Sequence, residues 1–591
     1  MKNNKSIIQM IFIISILFPL IFSLGNWNTI KSNSTIDNKL LNSQDSQFGY
    51  LIITTEEFSN SLAPLRIWKS QKGLDAVIIT TDEIDQEYSG VDLQEKIKNC
   101  IIDYYQNHDL KWVLLAGDNE DVPSRYVWAQ ENYPYDGNVV SCDSYYADLD
   151  NNWNLNHDDK YGYIGDSYDF HAEVYVGRLS ANNKAEMAKL VERILNYEMD
   201  PDIGAWMNTA IFAGAFICFE EDWNSDGVPD LLEADRNQYG NFLASRLPKN
   251  WTYNTLGESE GLKASDYKFN LSLTGFNLRS LIKNGVSVGS IYGHGNPGAI
   301  KRMIWTTDYD GDGLFDWDGS PYEGGSPIDI ASYPELLSTD MDKISPNNDH
   351  LGCYYLMGCS NGQFDLPEDC LAEYFLKDGA IVSIAGSYLV WGEDNWTVRE
   401  GGGWYSEGLC ARFYENLFQC KRPGQALALA KEDYWNDRIA SGVSAVEPGW
   451  ENKTLKQFNL FGDPEIPIWL GIPKKLNCSF VNQSSSTLVR LTVDNDPVEN
   501  VTVTVMIDTH LAFLGKTNGT GYLEIPYTYD QLLNYDLVAT KMGYVPYLSM
   551  QDKIPIPNNG PSIPSFNLII IVLISFLSIT SLILKIRDKY F

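Results

Sequence analysis

The chain has 591 residues, 44% of them hydrophobic, with 78 acidic against 44 basic side chains and a formal net charge of −34. That surplus of negative charge excludes a nucleic-acid partner held by a basic surface, and the apolar content excludes a globally disordered chain. At about 100–200 residues per domain the length suits three or four folded units.

Both ends are apolar. Lys2 and Lys5 precede a run from Ile7 to Leu24, the n-region and h-region of a secretory signal. No small-x-small site follows, so residues 1–25 read as a signal peptide or an uncleaved anchor, ahead of a polar spacer at 26–47. Residues 567–584 form an uncharged apolar stretch of about the length that spans a bilayer core. Lys585, Arg587 and Lys589 follow it, and the positive-inside rule places that 585–591 tail in the cytoplasm. The expectation is a single-pass cell-membrane protein with nearly everything else outside the cell. There the nine cysteines, an odd number, leave at least one thiol unpaired within the chain. None has the Cys/His spacing of a structural zinc site.

Between the ends, "YLIITT", "DAVIITT", "KWVLLAGD" and "AEVYVGR" read as buried strands. Helical periodicity separates them at 57–72 and 91–105 and follows them at 184–198. That alternation predicts an α/β subdomain with a mainly parallel sheet over 48–200. A second α/β series over 201–472 holds the strands "TAIFAGAFICF", "GVSVGSIYG", "GCYYLMG" and "GAIVSIAGS" and closes at "NLFGDPEIPIWL". From 473 to 556 the pattern shifts to short alternating segments such as "VRLTV" and "VTVTVMI", with turns at "NDP" and "NGTG". This predicts a small Ig-like β-sandwich, joined by a 557–566 linker to a C-terminal transmembrane helix.

Catalytic groups collect beyond the carboxyl ends of parallel strands. "GVSVGSIYG" runs directly into His294, and "GCYYLMG" into Cys359. Both residues are flanked by glycine, which lets backbone N–H groups approach a reacting carbonyl. A lone histidine is more often structural, and a lone cysteine more often inert. Two such residues at strand ends of one series, in a chain with six histidines, point to a thiol nucleophile and its acid/base.

Acidic loops supply a second signal. Asp222, Asn224, Asp226, Gly227, Asp230 and Glu233 fit a twelve-residue calcium loop through its final carboxylate, with Val228 giving a backbone carbonyl at position seven. Asp308, Asp310, Asp312, Gly313 and Asp316 begin another, with Gly319 where the last glutamate belongs. Residues 148–159 are acidic and amide-rich in a looser pattern. Ordinary Asp/Asn/Gly turns are the alternative for each; structural Ca2+ is the expected cofactor.

In this order, "LLAGDNEDVP", "EVYVGRLS", "YGHGN", "GCSNGQFD", "GSYLVWGED" and "FGDPEIP" resemble the gingipain family of caspase-fold cysteine peptidases, over about Tyr50 to Leu470. The resemblance implies a caspase-like catalytic region of two α/β subdomains acting on protein or peptide substrates. It implies Cys359 as nucleophile, His294 as general acid/base, Glu173 as the carboxylate orienting the imidazole, and the N–H groups of Cys359 and Gly295 as oxyanion donors. Gingipains cut after basic residues; Glu186 lies in roughly the corresponding helix, and Trp391 stands where it would wall the pocket. The spacer before Phe48 is far shorter than the folded inhibitory pro-domain that gingipains carry. Two other readings stay open: a transpeptidase using the same thioester, and a non-catalytic calcium-binding surface adhesion protein.

Overall fold

The computed structural model describes residues 49–549, apart from 130–138, 164, 222–231, 310, 312, 316–328, 341–343, 345, 347–348, 394–395, 420 and 442–448. The apolar stretches expected at 1–25 and 567–584 lie outside the described residues. Among the described residues no helix is long and apolar enough to cross a membrane.

Eleven strands build one sheet: β1 (Tyr50–Thr54), β2 (Ala76–Thr80), β3 (Trp112–Ala116), β4 (Tyr175–Leu179), β5 (Thr209–Gly214), β6 (Thr252–Gly257), β7 (Leu271–Ser272), β8 (Val288–Tyr292), β9 (Gly352–Met357), β10 (Ala380–Gly386) and β11 (Phe458–Gly462). Their order is β2-β1-β3-β4-β11-β10-β9-β8-β5-β6-β7. The strands β1 to β4 pair parallel with one another, and so do β5 to β10. These are the two α/β series expected from the sequence. They form one continuous sheet because β11 lies between them, antiparallel to β10 and meeting Arg178 of β4 at Phe461. Every residue of β1, β3, β8, β9, β10 and β11 is buried, as expected of strands covered on both faces. The strand β6 and the short edge strand β7 had no counterpart in the sequence reading, because "TYNTLG" is largely polar.

Helix boundaries follow local chemistry. Asp92 Oδ1 accepts from the N–H of Glu95 to cap the Leu93–His108 helix. Asn183 Oδ1 caps the Lys184–Met199 helix through the N–H groups of Ala185 and Glu186. After the sheet, residues 474–548 form two small four-stranded sheets around a core that includes Val489, Leu491, Val503, Val505 and Leu537. Thr504 Oγ1 of this region donates to the Gln71 carbonyl at the end of the Glu56–Gln71 helix.

The segment after β11 is tied into the first α/β series by buried charge. Lys69 Nζ lies 3.0 Å from Glu198 Oε1 and 2.7 Å from Glu465 Oε2, and also pairs with Asp463. Tyr50 donates its hydroxyl to Asp463 Oδ1 at 2.7 Å. Lys69 is fully buried; burial alone would pull its pKa down, but the three carboxylates outweigh that and hold it above the ordinary lysine value. Removing the cation leaves carboxylates buried without it. Lys69→Met is therefore expected to cost about 3–5 kcal/mol of stability, read as a lower urea midpoint; an unchanged midpoint would show that the cluster relaxes without loss.

Candidate active site

The register of β8 and β9 sets the site. Tyr292 is paired with Met357, and His294 and Cys359 each stand two residues further on. The glycine after each strand continues the alignment, with Gly293 donating its N–H to the Met357 carbonyl at 3.4 Å. The chain then turns into a hairpin of His294–Asn296 against Ala299–Lys301. Asn361, fully buried, clasps that hairpin by donating Nδ2 to the carbonyls of Asn296 (2.8 Å) and Ala299 (2.9 Å).

Beneath this clasp the two backbones touch. A Cβ added at Gly295 would stand 2.5 Å from the Cys359 nitrogen and 2.6 Å from its carbonyl oxygen, so only glycine fits there. Ser360, next to the thiol, takes φ +59°, a left-handed conformation rare for residues other than glycine. It is held by its N–H to the Tyr388 carbonyl at 2.8 Å. Cys359 Sγ is 3.7 Å from the Val390 carbonyl, to which it donates. None of the eight described cysteines is in a disulfide, and Cys359 is partly exposed while Cys100, Cys142, Cys353, Cys370 and Cys410 are buried.

His294 is partly buried at the start of the hairpin that packs on the Cys359 peptide. Desolvation pushes its pKa below the ordinary 6.5, and a backbone hydrogen bond with Ile217 works the other way. The imidazole is thus neutral near pH 7, with Nε2 shielded from solvent and without a hydrogen-bond partner among the described residues. Tyr333 packs against it, ring centroids 5.2 Å apart and planes at 86°. A partly exposed thiol, a neutral imidazole with an available nitrogen and apposed backbone amides are the components of thiol-based acyl transfer.

Residues 43–469 match the model of peptidase family C25. The chain belongs to that family. It is 20% identical to gingipain R1 of Porphyromonas gingivalis over 456 residues, which is 76% of this chain and 36% of that protein. Gingipain R2 of the same organism is also 20% identical, over 72% of this chain and 46% of its own length. The chain therefore spans less than half the length of either relative. The fold matches the crystal structure of the Arg-specific cysteine proteinase gingipain R, with a TM-score of 0.56 and 14% identity over 86% of this chain and 98% of that one. It also matches the complex of the RgpB pro- and mature domains, with a TM-score of 0.55 and 15% identity over 84% and 98%.

Within this C25 peptidase the other expected site residues are dispersed. Glu173 lies just before β4, and β4 is four strand spacings from β8, roughly 19 Å along the sheet. Its carboxylate accepts from the Leu149 N–H at 2.7 Å and sits with Asp148 and Asp150, all within 4.8 Å of one another. The structure thus gives Glu173 to the third acidic run, and the backbone of Ile217 occupies the place beside His294. Glu186 starts the Lys184–Met199 helix, where its carboxylate accepts from the Asn182 N–H and Asn183 Nδ2 and pairs with Lys377 at 3.0 Å. Those three donors leave it engaged in holding the helix rather than reading a substrate. Trp391 follows Val390, the acceptor of the Cys359 thiol, and stacks on Trp450 with ring centroids 4.7 Å apart and planes at 15°.

Of the calcium loops, Asp222, Asn224, Asp226, Val228, Asp230, Asp310, Asp312 and Asp316 lie outside the described residues. Glu233 is 3.1 Å from Lys263. Asp308 accepts the N–H groups of Gly311 (2.6 Å) and Gly313 (3.2 Å), winding the second loop around its first carboxylate. The bases of the two loops meet where the Phe315 N–H reaches the Glu220 carbonyl at 3.1 Å.

Sequence reasoning missed Ile217, Asn361, Val390 and Tyr333. A backbone partner carries no side-chain signal, and Tyr333 is separated from "YGHGN" by a long polar insertion; only Asn361, inside "GCSNG", was open to notice. Gly295→Ala should lower amidolysis by at least ~100-fold, beyond what any accompanying fall in melting temperature explains, because its methyl group displaces the Cys359 peptide. Near-normal turnover would mean that this backbone contact is not needed.

Proposed function

We propose that the chain is a cell-surface cysteine endopeptidase. Cys359 attacks the peptide carbonyl, His294 takes the thiol proton and returns it to the departing amine, and the N–H groups of Cys359 and Gly295 stabilise the oxyanion. The observation that carries this reading is the packing of Gly295 directly on the Cys359 peptide, which brings the hairpin begun by His294 against the loop that carries a partly exposed thiol. No cleavage preference for basic residues is included, since Glu186 is engaged elsewhere. Cys359→Ala and His294→Ala should each abolish turnover of peptides while leaving folding intact. Because desolvation lowers the His294 pKa below 6.5, the base form persists further into acid, so the acid limb of kcat/KM should fall below that value. A limb above it, or full activity in either variant, would sink the assignment.

We also propose that calcium at 222–233 and at the loop beginning with Asp308 braces the His294 side of the site. Support comes from the ligand spacing, from the winding of the second loop on Asp308, and from the Phe315–Glu220 bond joining the two bases. Glu233 would have to exchange Lys263 for the ion. Like-charged carboxylates favour an open loop until a cation offsets their repulsion, which couples occupancy to local folding. Chelation should lower melting temperature and activity together, calcium should restore both better than magnesium, and Asp226→Ala should blunt the response. An enzyme indifferent to chelator would leave these as acidic turns. The apolar segments at 7–24 and 567–584, with the basic tail, support export and anchoring at the cell membrane.

A further inference from the structure

This inference rests on the cysteine-peptidase reading above and concerns what lies beyond the scissile bond. In acyl transfer the Cys359 sulfur forms a bond to the substrate carbonyl carbon, the C–N bond breaks, and the imidazolium of His294 gives its proton to the leaving nitrogen. Water then adds to the thioester and returns the thiol. The leaving nitrogen must come within hydrogen-bond reach of the imidazole, so the side chain of the residue it belongs to passes over whatever packs on His294.

That neighbour is Tyr333, 5.2 Å from the imidazole centroid. It is 45% exposed, so the ring offers apolar surface that a substrate side chain can cover. The strand leading to Tyr333 is backed by its own small core of Phe216, Phe219, Met303, Trp305 and Phe315, all buried, with Ala331 packed against it. Met303 precedes and Trp305 lies within the strand Ile304–Thr307, which pairs with Ile330–Ser332 immediately before Tyr333. A rigid platform of this kind positions a ring better than a free loop does.

We propose that Tyr333 walls the subsite for the residue immediately after the scissile bond, and that this subsite selects large apolar or aromatic side chains. The test begins with wild-type full-length chain and a peptide library, cleavage sites being identified by mass spectrometry. Matched peptides that share the preferred acyl half and differ only in the next residue should favour Phe or Leu over Gly or Asp by about tenfold. Tyr333→Ala should flatten that preference to within about twofold, and Tyr333→Phe should keep it. The methyl ester of the same acyl half, which has no residue there, should react at nearly the same rate with all three enzymes.

An equal fall for the ester and every peptide would show that Tyr333 only holds the imidazole, and would overturn the inference. So would a wild-type enzyme blind to that residue, or a preference that survives Tyr333→Ala. Should Tyr333→Ala fail to fold, capture of the wild-type acyl-enzyme by phenylalanine amide against glycine amide reads the same subsite; equal capture overturns it. If the wild-type chain cleaves nothing and Cys359 is not labelled by a peptidyl acyloxymethyl ketone, the peptidase reading itself fails, and this inference with it.

Discussion

Backbone packed on backbone, Gly295 against the peptide of Cys359, is the contact from which the rest of the site takes its shape. Two parallel strands of equal reach deliver a histidine and a cysteine to the same level, but strand register alone fixes positions only to the spacing between strands. The missing Cβ closes that gap. Asn361 then locks the arrangement, binding two carbonyls of the hairpin that His294 begins. Because this side chain is fully buried and spans both chain segments, the nucleophile loop and the histidine hairpin move as one piece.

A division of labour follows between the two sides of the thiol. On one side the segment after β10 brings the Val390 carbonyl to the sulfur and stacks Trp391 on Trp450. That segment is anchored by buried Glu407, which accepts from the Tyr292 hydroxyl and pairs with Arg236, while Arg236 donates to the Glu393 carbonyl. On the other side a separate, mainly aromatic core packs Ala331, two residues before Tyr333, and includes Phe315, whose N–H reaches the Glu220 carbonyl. The first side is built on the main sheet, and the second is an appendage with a core of its own.

The sequence made His294 and Cys359 visible as candidates because each follows a continuous apolar strand and a glycine, a pattern that survives without any tertiary information. The α/β alternation was legible for the same reason. What escaped it depends on contacts between distant segments. "EVYVGR" marks a strand correctly, yet nothing local reveals that four strand spacings separate its leading glutamate from the histidine. Glu186 looks like a charge in a useful helix, and only the fold shows Lys377 and two asparagine donors on it. The joining of two α/β series into one sheet was equally hidden, since "FNLFG" is apolar throughout and does not say which strands it will meet.

The place of β11 bears on when this peptidase can exist at all. It is the last strand of the sheet in chain order and lies between strands made far earlier, and the acids just behind it clamp onto Lys69 near the start of the described fold. A ribosome must therefore release more than four hundred residues after β1 before the middle of the platform is filled. Until then β4 and β10 present open edges to each other, and the pair of strands that carries the reacting groups lacks its lateral support. Vectorial synthesis thus leaves the protein without a finished central sheet until nearly all of the described fold has been made.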